Sequence, residues 1–433
     1  MKNQEEILSK LNIDALNPMQ KESLTVISTT TNTILLSPTG TGKTLAFLLP
    51  VLEELDHDNP EVQVLILVPS RELAIQIEQV IRNIGSGFKV NAIYGGRPMS
   101  KDKIELKHTP AILVGTPGRI LDHFIADRFT KDSISTLILD EFDKSLEVGF
   151  EKEMSEILSE LPNLKKRILT SATEGVKIPK FVGMENPRRI NFLKKENPSQ
   201  LTISTVVSED KDKLKTLVQL LKCIGEEPGI IFCNYKDSIE IISSFLEHQH
   251  IHHECFSGGM EQKDRERALI KFRNGSSRIL VATDLAARGI DIPELKFIIH
   301  YELPQRIEEF THRNGRTARV NEAGTAYVLR WDKENLPEFI PKSKPININK
   351  SNRLGEPYWE TLFISGGRKD KISKGDIAGL FFKQGGLNRD ELGDVELKQD
   401  CAFVAVPKTK SKELVNGLNN SRLKKKKVRI TVL

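Results

Sequence analysis

The chain has 433 residues, of which 38% are hydrophobic and 28% charged, with a net charge of +5. That length exceeds what one hydrophobic core serves, so two or three domains are expected. No apolar run approaches the roughly 20 residues that cross a bilayer, and the opening Met-Lys-Asn-Gln-Glu-Glu lacks the apolar core of a signal peptide, so a cytoplasmic protein with no membrane association is expected.

From about residue 30 to 195, short apolar strands alternate with helical stretches: 33–36, 64–68, 90–94, 111–115, 137–140 and 167–171. This rhythm predicts an α/β domain with a covered parallel sheet. The first strand runs into Ser37-Pro-Thr-Gly-Thr-Gly-Lys-Thr, which opens a helix rich in Leu and Phe. Backbone N–H groups of such a loop, with the positive end of the helix dipole, hold a polyphosphate. Lys43 adds a point charge, and the Thr44 hydroxyl suits a Mg²⁺ ligand. The fifth strand ends in Asp140-Glu141, two carboxylates of which one suits the metal shell and the other can orient or deprotonate a water. Together these two segments predict a nucleoside triphosphatase.

The rhythm resumes at 229–233, 253–257, 278–283, 297–301 and 325–330, without a second phosphate loop. Residues 333–357 carry four prolines among Lys, Asn and Ser and predict a flexible tether. A compact third pattern follows: strand 361–365, helix 374–383, strands 393–397 and 402–406, helix 411–418, and a last strand 428–432. Charge is uneven. Residues 341–433 hold 20 Lys/Arg against 10 Asp/Glu, and the rest holds 44 against 49. A basic C-terminal part suits an anionic partner such as nucleic acid. Cys223, Cys233, Cys255 and Cys401 lie far apart with no metal-ligand spacing and read as reduced thiols.

In chain order, Pro69-Ser-Arg-Glu-Leu-Ala, Gly95-Gly96, Thr116-Pro-Gly-Arg, Asp140-Glu-Phe-Asp and Ser171-Ala-Thr lie in the first half. Ile231-Phe-Cys-Asn, Gln262-Lys-Asp-Arg, Val281-Ala-Thr-Asp-Leu-Ala-Ala-Arg-Gly-Ile-Asp and His312-Arg-Asn-Gly-Arg-Thr-Ala-Arg lie in the second. Taken in this order, the set resembles the DEAD-box RNA helicases over nearly the whole chain. Residues 358–433 resemble the RNA-binding module of the DbpA type, on Leu362-Phe-Ile-Ser-Gly-Gly-Arg-Lys-Asp-Lys, Lys374-Gly-Asp-Ile, Gly393-Asp-Val, Ala402-Phe-Val-Ala-Val-Pro and Leu423-Lys-Lys-Lys-Lys-Val-Arg-Ile.

The resemblance implies two tandem RecA-like P-loop domains with parallel sheets, at 1–197 and 208–335. It adds a linker at 336–357 and an RRM-like α+β domain at 358–433. ATP and Mg²⁺ are the implied cofactors. Lys43, Glu141, Arg316 and Arg319 would be catalytic, the two arginines as fingers on one helix face that reach the terminal phosphate. Gln20, Thr39, Gly40, Thr41, Gly42, Lys43, Thr44, Asp140 and Asp291 would bind the nucleotide, with Thr44 and Asp140 on the metal. Arg71, Gly96, Thr116, Arg119, Gln262, Arg265, Thr283, Lys424, Lys425, Lys426 and Lys427 would bind RNA. Asp143, Ser171, Thr173, His312 and Arg313 would couple the two activities. The implied function is an ATP-dependent RNA helicase that remodels structured RNA, ribosomal RNA in ribosome assembly, as a monomer on ribosomal precursor particles. An ATP-gated RNA clamp with little unwinding is the alternative reading, and a DNA translocase a third.

Several positions depart from the family pattern. Ile13 stands where a stacking aromatic is usual, Phe142 where Ala is usual, and Ala318 where Gly is usual. Phe363 and Phe403 occupy positions where an RRM stacks bases, whereas Cys401 and Val406 replace two usual aromatics, so the two rings read equally as stacking platform or as core.

Overall fold

The computed structural model describes residues 4–11, 13–38, 40–147, 149–174, 177–193, 200–284, 295–318, 323–348 and 354–433, the side chain of Glu147 excepted. The chain divides into two compact units, the first made of residues up to 199 and the second of nearly all the rest. Among the described residues, no helix is long and apolar enough to cross a membrane.

In the first unit the strands are β1 (Asn32–Leu36), β2 (Val64–Leu67), β3 (Val90–Ile93), β4 (Ile112–Gly115), β5 (Thr136–Leu139), β6 (Lys166–Ser171) and β7 (Arg188–Asn191). They form one parallel sheet in the order β3-β4-β2-β5-β6-β1-β7. Both faces are covered, which is why β2, β4 and β5 are apolar at nearly every position rather than alternating. Helix ends follow local chemistry. Ser70 caps the Arg71–Ile84 helix by accepting from Leu73 N–H at 3.2 Å, and Gly85, at φ 64°, ends it.

The second unit has β8 (Gln200–Ser208), β9 (Gly229–Cys233), β10 (Glu254–Phe256), β11 (Ile279–Thr283), β12 (Phe297–His300) and β13 (Ala323–Trp331), all parallel in the order β10-β11-β9-β12-β13-β8. Strand β8 moves the expected start of this domain from 208 to 200. Gln200-Leu-Thr-Ile-Ser-Thr is a half-exposed edge strand, and its polar alternation resembles a linker until β13 is there to pair with it.

The same unit continues through β14 (Trp359–Ile364), β15 (Val395–Leu397), β16 (Ala402–Pro407), the short hairpin β17 (Arg422–Leu423) and β18 (Lys426–Lys427), and β19 (Ile430–Val432). With helices Lys374–Lys383 and Lys408–Leu418 this is a βαββαβ module, its antiparallel sheet ordered β15-β16-β14-β19. Leu362, Ile364, Ala402, Val404 and Val406 face the module's two helices and make its core.

The expected flexible tether is packed over its described residues. Thr205 and Ser343 share a hydroxyl hydrogen bond of 2.8 Å, Thr205 bridges to Pro345, Ile340 is buried, and the Phe339 ring lies 6.2 Å from Phe310. Scattered Leu, Phe and Ile side chains between the prolines anchor it, with Ile348 and Leu354 against the second domain's core.

Candidate active site and RNA-contact edge

The strand order of the first unit decides what meets what. Strands β5, β6 and β1 are neighbours, so the segments leaving their carboxyl ends are neighbours too. These are Asp140-Glu141, Ser171-Ala-Thr and the phosphate loop. Ligands of open parallel sheets bind at such ends.

Gly40 and Gly42 hold φ near 87° and 85°, a region a side chain rarely adopts, so the loop turns tightly into the Lys43–Glu53 helix. Lys43 Nζ donates to Ser37 O at 2.6 Å and Pro38 O at 2.8 Å, and Thr41 Oγ1 lies 2.7 Å from Ser37 Oγ. The ammonium thus sits inside the loop's own curve. Thr39 lies outside the described residues.

Asp140 is buried, and its carboxylate accepts from the Thr170 hydroxyl and from Glu141 N–H at 3.2 Å. Burial pushes its carboxyl up, against the Thr170 bond and the Lys43 charge. The Lys43 charge acts on Asp140, and Thr44 follows Lys43 in the first turn of the loop's helix; a carboxylate and a hydroxyl are the hard oxygen donors that Mg²⁺ takes, so these residues fit that ion. Glu141 is held at φ 48°, a left-handed conformation costly for a non-glycine residue and typical of functional turns. Its N–H is shared with Thr170 Oγ1 at 3.2 Å. Thr173 Oγ1 donates to Asp143 Oδ2 at 3.0 Å, and Ser171 Oγ accepts from Thr173 N–H at 3.0 Å. The two segments expected to couple the activities are therefore hydrogen-bonded to each other. Phe142 is buried in the apolar cluster with Met154 and Ile157, so the extra ring is core.

Gln20 does structural work as well. Its Oε1 accepts from Asn17 N–H at 3.0 Å in a capping box, and its Nε2 donates to Gly42 O at 3.3 Å. This joins the Pro18–Thr29 helix to the phosphate loop and fixes which way the amide points. A second lone pair and a second N–H remain on that amide.

Strands β3, β4 and β2 form the other half of the same edge. Arg71 follows β2, Gly95 and Gly96 follow β3, and Thr116 follows β4. The Arg71 guanidinium lies against Gly96, at φ 84°, where an added Cβ would come within 2.2 Å of it. Thr116 starts the Pro117–Ile125 helix that carries Arg119. Asp102, fully buried, holds this corner: Arg97 Nε at 2.5 Å, Arg119 Nε at 2.9 Å and His123 Nε2 at 3.1 Å. Arg128 Nη1 lies 3.2 Å from His123 Nδ1, so Nδ1 accepts and Nε2–H donates to Asp102. Nothing in the sequence marked Asp102. It lies in a helix, Met99–Leu106, that reads as charged surface.

In the second unit, Gln262 and Arg265 sit on the Gln262–Arg273 helix after β10, and Thr283 ends β11. Arg265 is buried with its guanidinium 4.8 Å from the Phe256 ring centroid. Arg313 is fully buried and forked: Nε to Asp284 Oδ1 at 2.7 Å, Nη2 to Asp284 Oδ2 at 2.5 Å and to Asn234 Oδ1 at 2.6 Å, Nη1 to Glu302 O at 2.7 Å. It fixes the start of the segment after β11. His312 is buried beside it. Burial, and then the Arg313 charge, drives the His300 imidazole down to about 3. The expectation that Arg316 and Arg319 share a helix face is corrected: the helix is Ile307–Asn314, Gly315 caps it, and Arg316 lies in the turn beyond. Ala318 takes φ 50° in that turn. Arg319 and Asp291 lie outside the described residues.

In the module, Lys424 Nζ lies 2.8 Å from Asp376 Oδ1, which it holds down to about 2, and Lys426 Nζ lies 2.8 Å from Asp370 Oδ2. Arg422, Lys425, Lys427 and Arg429 are exposed around them. Phe363 and Phe403 are cross-strand partners with ring centroids 5.7 Å apart, on the sheet face away from the module's core.

Comparison with known proteins agrees with this geometry. The chain matches the DEAD/DEAH box helicase family over 17–180, the helicase conserved C-terminal domain over 212–321 and the DbpA RNA binding domain over 361–432. It is 32% identical to the ATP-dependent RNA helicase DbpA of Bacillus subtilis over 434 residues, covering 91% of this chain and 90% of that protein. It is 30% identical to the Escherichia coli DbpA, covering 98% and 96%. The structure of S. cerevisiae Dbp5 bound to RNA and ADP BeF3 is similar with a TM-score of 0.68 at 26% identity, covering 76% of this chain and 87% of that one. The chain belongs to the DEAD-box ATP-dependent RNA helicases, RNA-dependent ATPases built on two RecA-like domains, and carries a DbpA-type RNA-binding domain.

Proposed function

We propose that this helicase remodels structured ribosomal RNA during ribosome assembly, as a cytoplasmic monomer, with the basic C-terminal module selecting the RNA. One observation supports the division of labour: the carboxyl edge of the first sheet gathers the phosphate-loop, Asp140-Glu141 and Ser171 segments at β5-β6-β1 and the Arg71, Gly96 and Thr116 segments at β3-β4-β2. The match of residues 361–432 to the DbpA RNA binding domain supports the choice of RNA.

ATP lies in the phosphate loop, its adenine edge read by the spare donor and acceptor of Gln20. Thr44 and Asp140 would hold Mg²⁺, which when bound neutralises charge on the phosphate oxygens. Glu141 orients the attacking water and takes its proton as the water oxygen bonds to the γ-phosphorus and the bond to the ADP oxygen breaks. Lys43 holds the terminal phosphates, and Arg316 and Arg319 have the charge-stabilising role that the family resemblance implies. Asp143, hydrogen-bonded to Thr173, passes the state of this half to the RNA half. Arg71, Gly96, Thr116 and Arg119 grip backbone phosphates without reading bases.

Crosslinking the intact protein in cells and sequencing the bound RNA tests this. Enrichment at a structured ribosomal site is expected. Reads spread over messenger RNAs in proportion to abundance would contradict it.

A further inference from the structure

The Gln262–Arg273 helix is covered on more than one side. Ala268, Leu269 and Ile270 are buried in succession, which spans about 200° of a helix and cannot be one face. One side packs on the strands of its own domain, β10 in particular. The other meets the C-terminal module. At the helix end Arg273 Nη2 lies 2.8 Å from Glu396 Oε2. In the following loop Asn274 Nδ2 donates to Thr361 Oγ1 at 3.1 Å, and Ser276 Oγ lies 2.6 Å from the same Thr361 oxygen. Gly275 packs on the Trp359 ring, where an added Cβ would come within 3.2 Å. Thr361 is fully buried although it faces away from the module's core.

These contacts fall on one face of the module's sheet. Thr361 and Phe363 alternate with the core residues Leu362 and Ile364, and Phe363 pairs with Phe403, which pairs with Glu396. Phe403 is only 6% exposed without being part of the module's core. In an RRM this is the face that stacks bases. Here polar partners of matched geometry fill its centre.

We propose that the sheet face of the module is its docking surface for the second RecA-like domain and not a base-stacking platform. The Gln262–Arg273 helix carries the RNA-contact residues Gln262 and Arg265 in its first turns and the dock at its last. It therefore holds the module at a set orientation to the RNA track while RNA binds other surfaces of the module. This rests on the RNA role proposed for Gln262 and Arg265.

Ser276 and Thr361 provide the test, because their side-chain oxygens are close enough for a disulfide to replace the hydrogen bond. In full-length protein, S276C/T361C should form that disulfide under mild oxidation, with single-cysteine variants as controls. The locked protein should keep RNA affinity and ATPase stimulation by deproteinised ribosomal RNA within about twofold of its reduced form. Failure to crosslink, or a tenfold loss reversed by reductant, would overturn the proposal. As a second arm, Arg273→Glu should raise the ribosomal RNA concentration for half-stimulation about tenfold and leave stimulation by poly(A) unchanged, with Glu396→Arg restoring it. Equal loss with both RNAs, or no rescue, would also overturn it. A parent that neither RNA stimulates would instead sink the proposed function.

Discussion

The carboxyl edge of the first sheet and the seam between the second domain and the module are built on opposite principles. Along the edge, each chemical group sits in a short segment that leaves a strand, and sheet order alone brings the segments together. Along the seam, Arg273, Asn274, Ser276, Thr361 and Glu396 come from places up to 123 residues apart, and each is an ordinary polar residue in its own segment. A site made of strand ends announces itself locally. A site made of complementary faces does not.

The largest expected effect belongs to the edge. Glu141→Gln keeps the shape of the side chain and removes the proposed base, so turnover should fall on the order of 10³-fold or more while ATP and RNA still bind. Steady-state ATPase beside equilibrium nucleotide titration checks this, and turnover within twofold of the parent would remove Glu141 from its role.

Asp102→Asn reaches the proposed RNA half through its support. It leaves Arg119 facing an amide in a buried place, while Arg97 keeps Glu105 at 2.6 Å; a buried charge that loses its partner costs about 3 kcal/mol or more. The RNA concentration for half-stimulation should rise well before kcat falls. Although burial raises the Asp102 carboxyl, its His123 hydrogen bond and the charges of Arg97 and Arg119 leave it below its ordinary 3.8. The folded form thus binds this proton less readily than the unfolded chain. The cluster's stabilisation is full above the ordinary value and is lost as pH falls through the depressed one. Acid unfolding monitored by circular dichroism should begin at higher pH in Asp102→Asn, and an unchanged acid limb would contradict the hub.

How much could be read in advance follows the same contrast. The phosphate loop, Asp140-Glu141 and Ser171-Ala-Thr were legible because strand, turn and chemistry are consecutive. Thr170, whose hydroxyl holds Asp140, was legible in principle as the polar end of a buried strand. Strand β8 escaped because an edge strand alternates like a linker, and the packed 333–348 segment escaped because its prolines outweighed its scattered Phe and Ile. The three-residue spacing of Arg316 and Arg319 suits a helix, whereas Gly315 ends that helix first. Asp102, and Asp284 and Asn234 around Arg313, carry no local mark; only the fold converts them into partners.

The smallest effect concerns the turn before Arg319. Ala318 pays for a left-handed backbone at φ 50°, so Ala318→Gly should stabilise the protein by roughly 0.5–1 kcal/mol, net of the freedom glycine adds to the unfolded chain. Thermal unfolding would register a rise of a few degrees at most. A fall would mean that the turn is not strained.

The central claim is that one sheet edge is divided into a phosphate half and an RNA half. Its most direct test is the RNA dependence of ATP hydrolysis in Arg71→Ala, with nucleotide affinity measured in the same preparation. The division predicts an RNA requirement raised about tenfold with nucleotide affinity unchanged and kcat recovered at saturating RNA. Loss of nucleotide affinity in step with RNA affinity would contradict it.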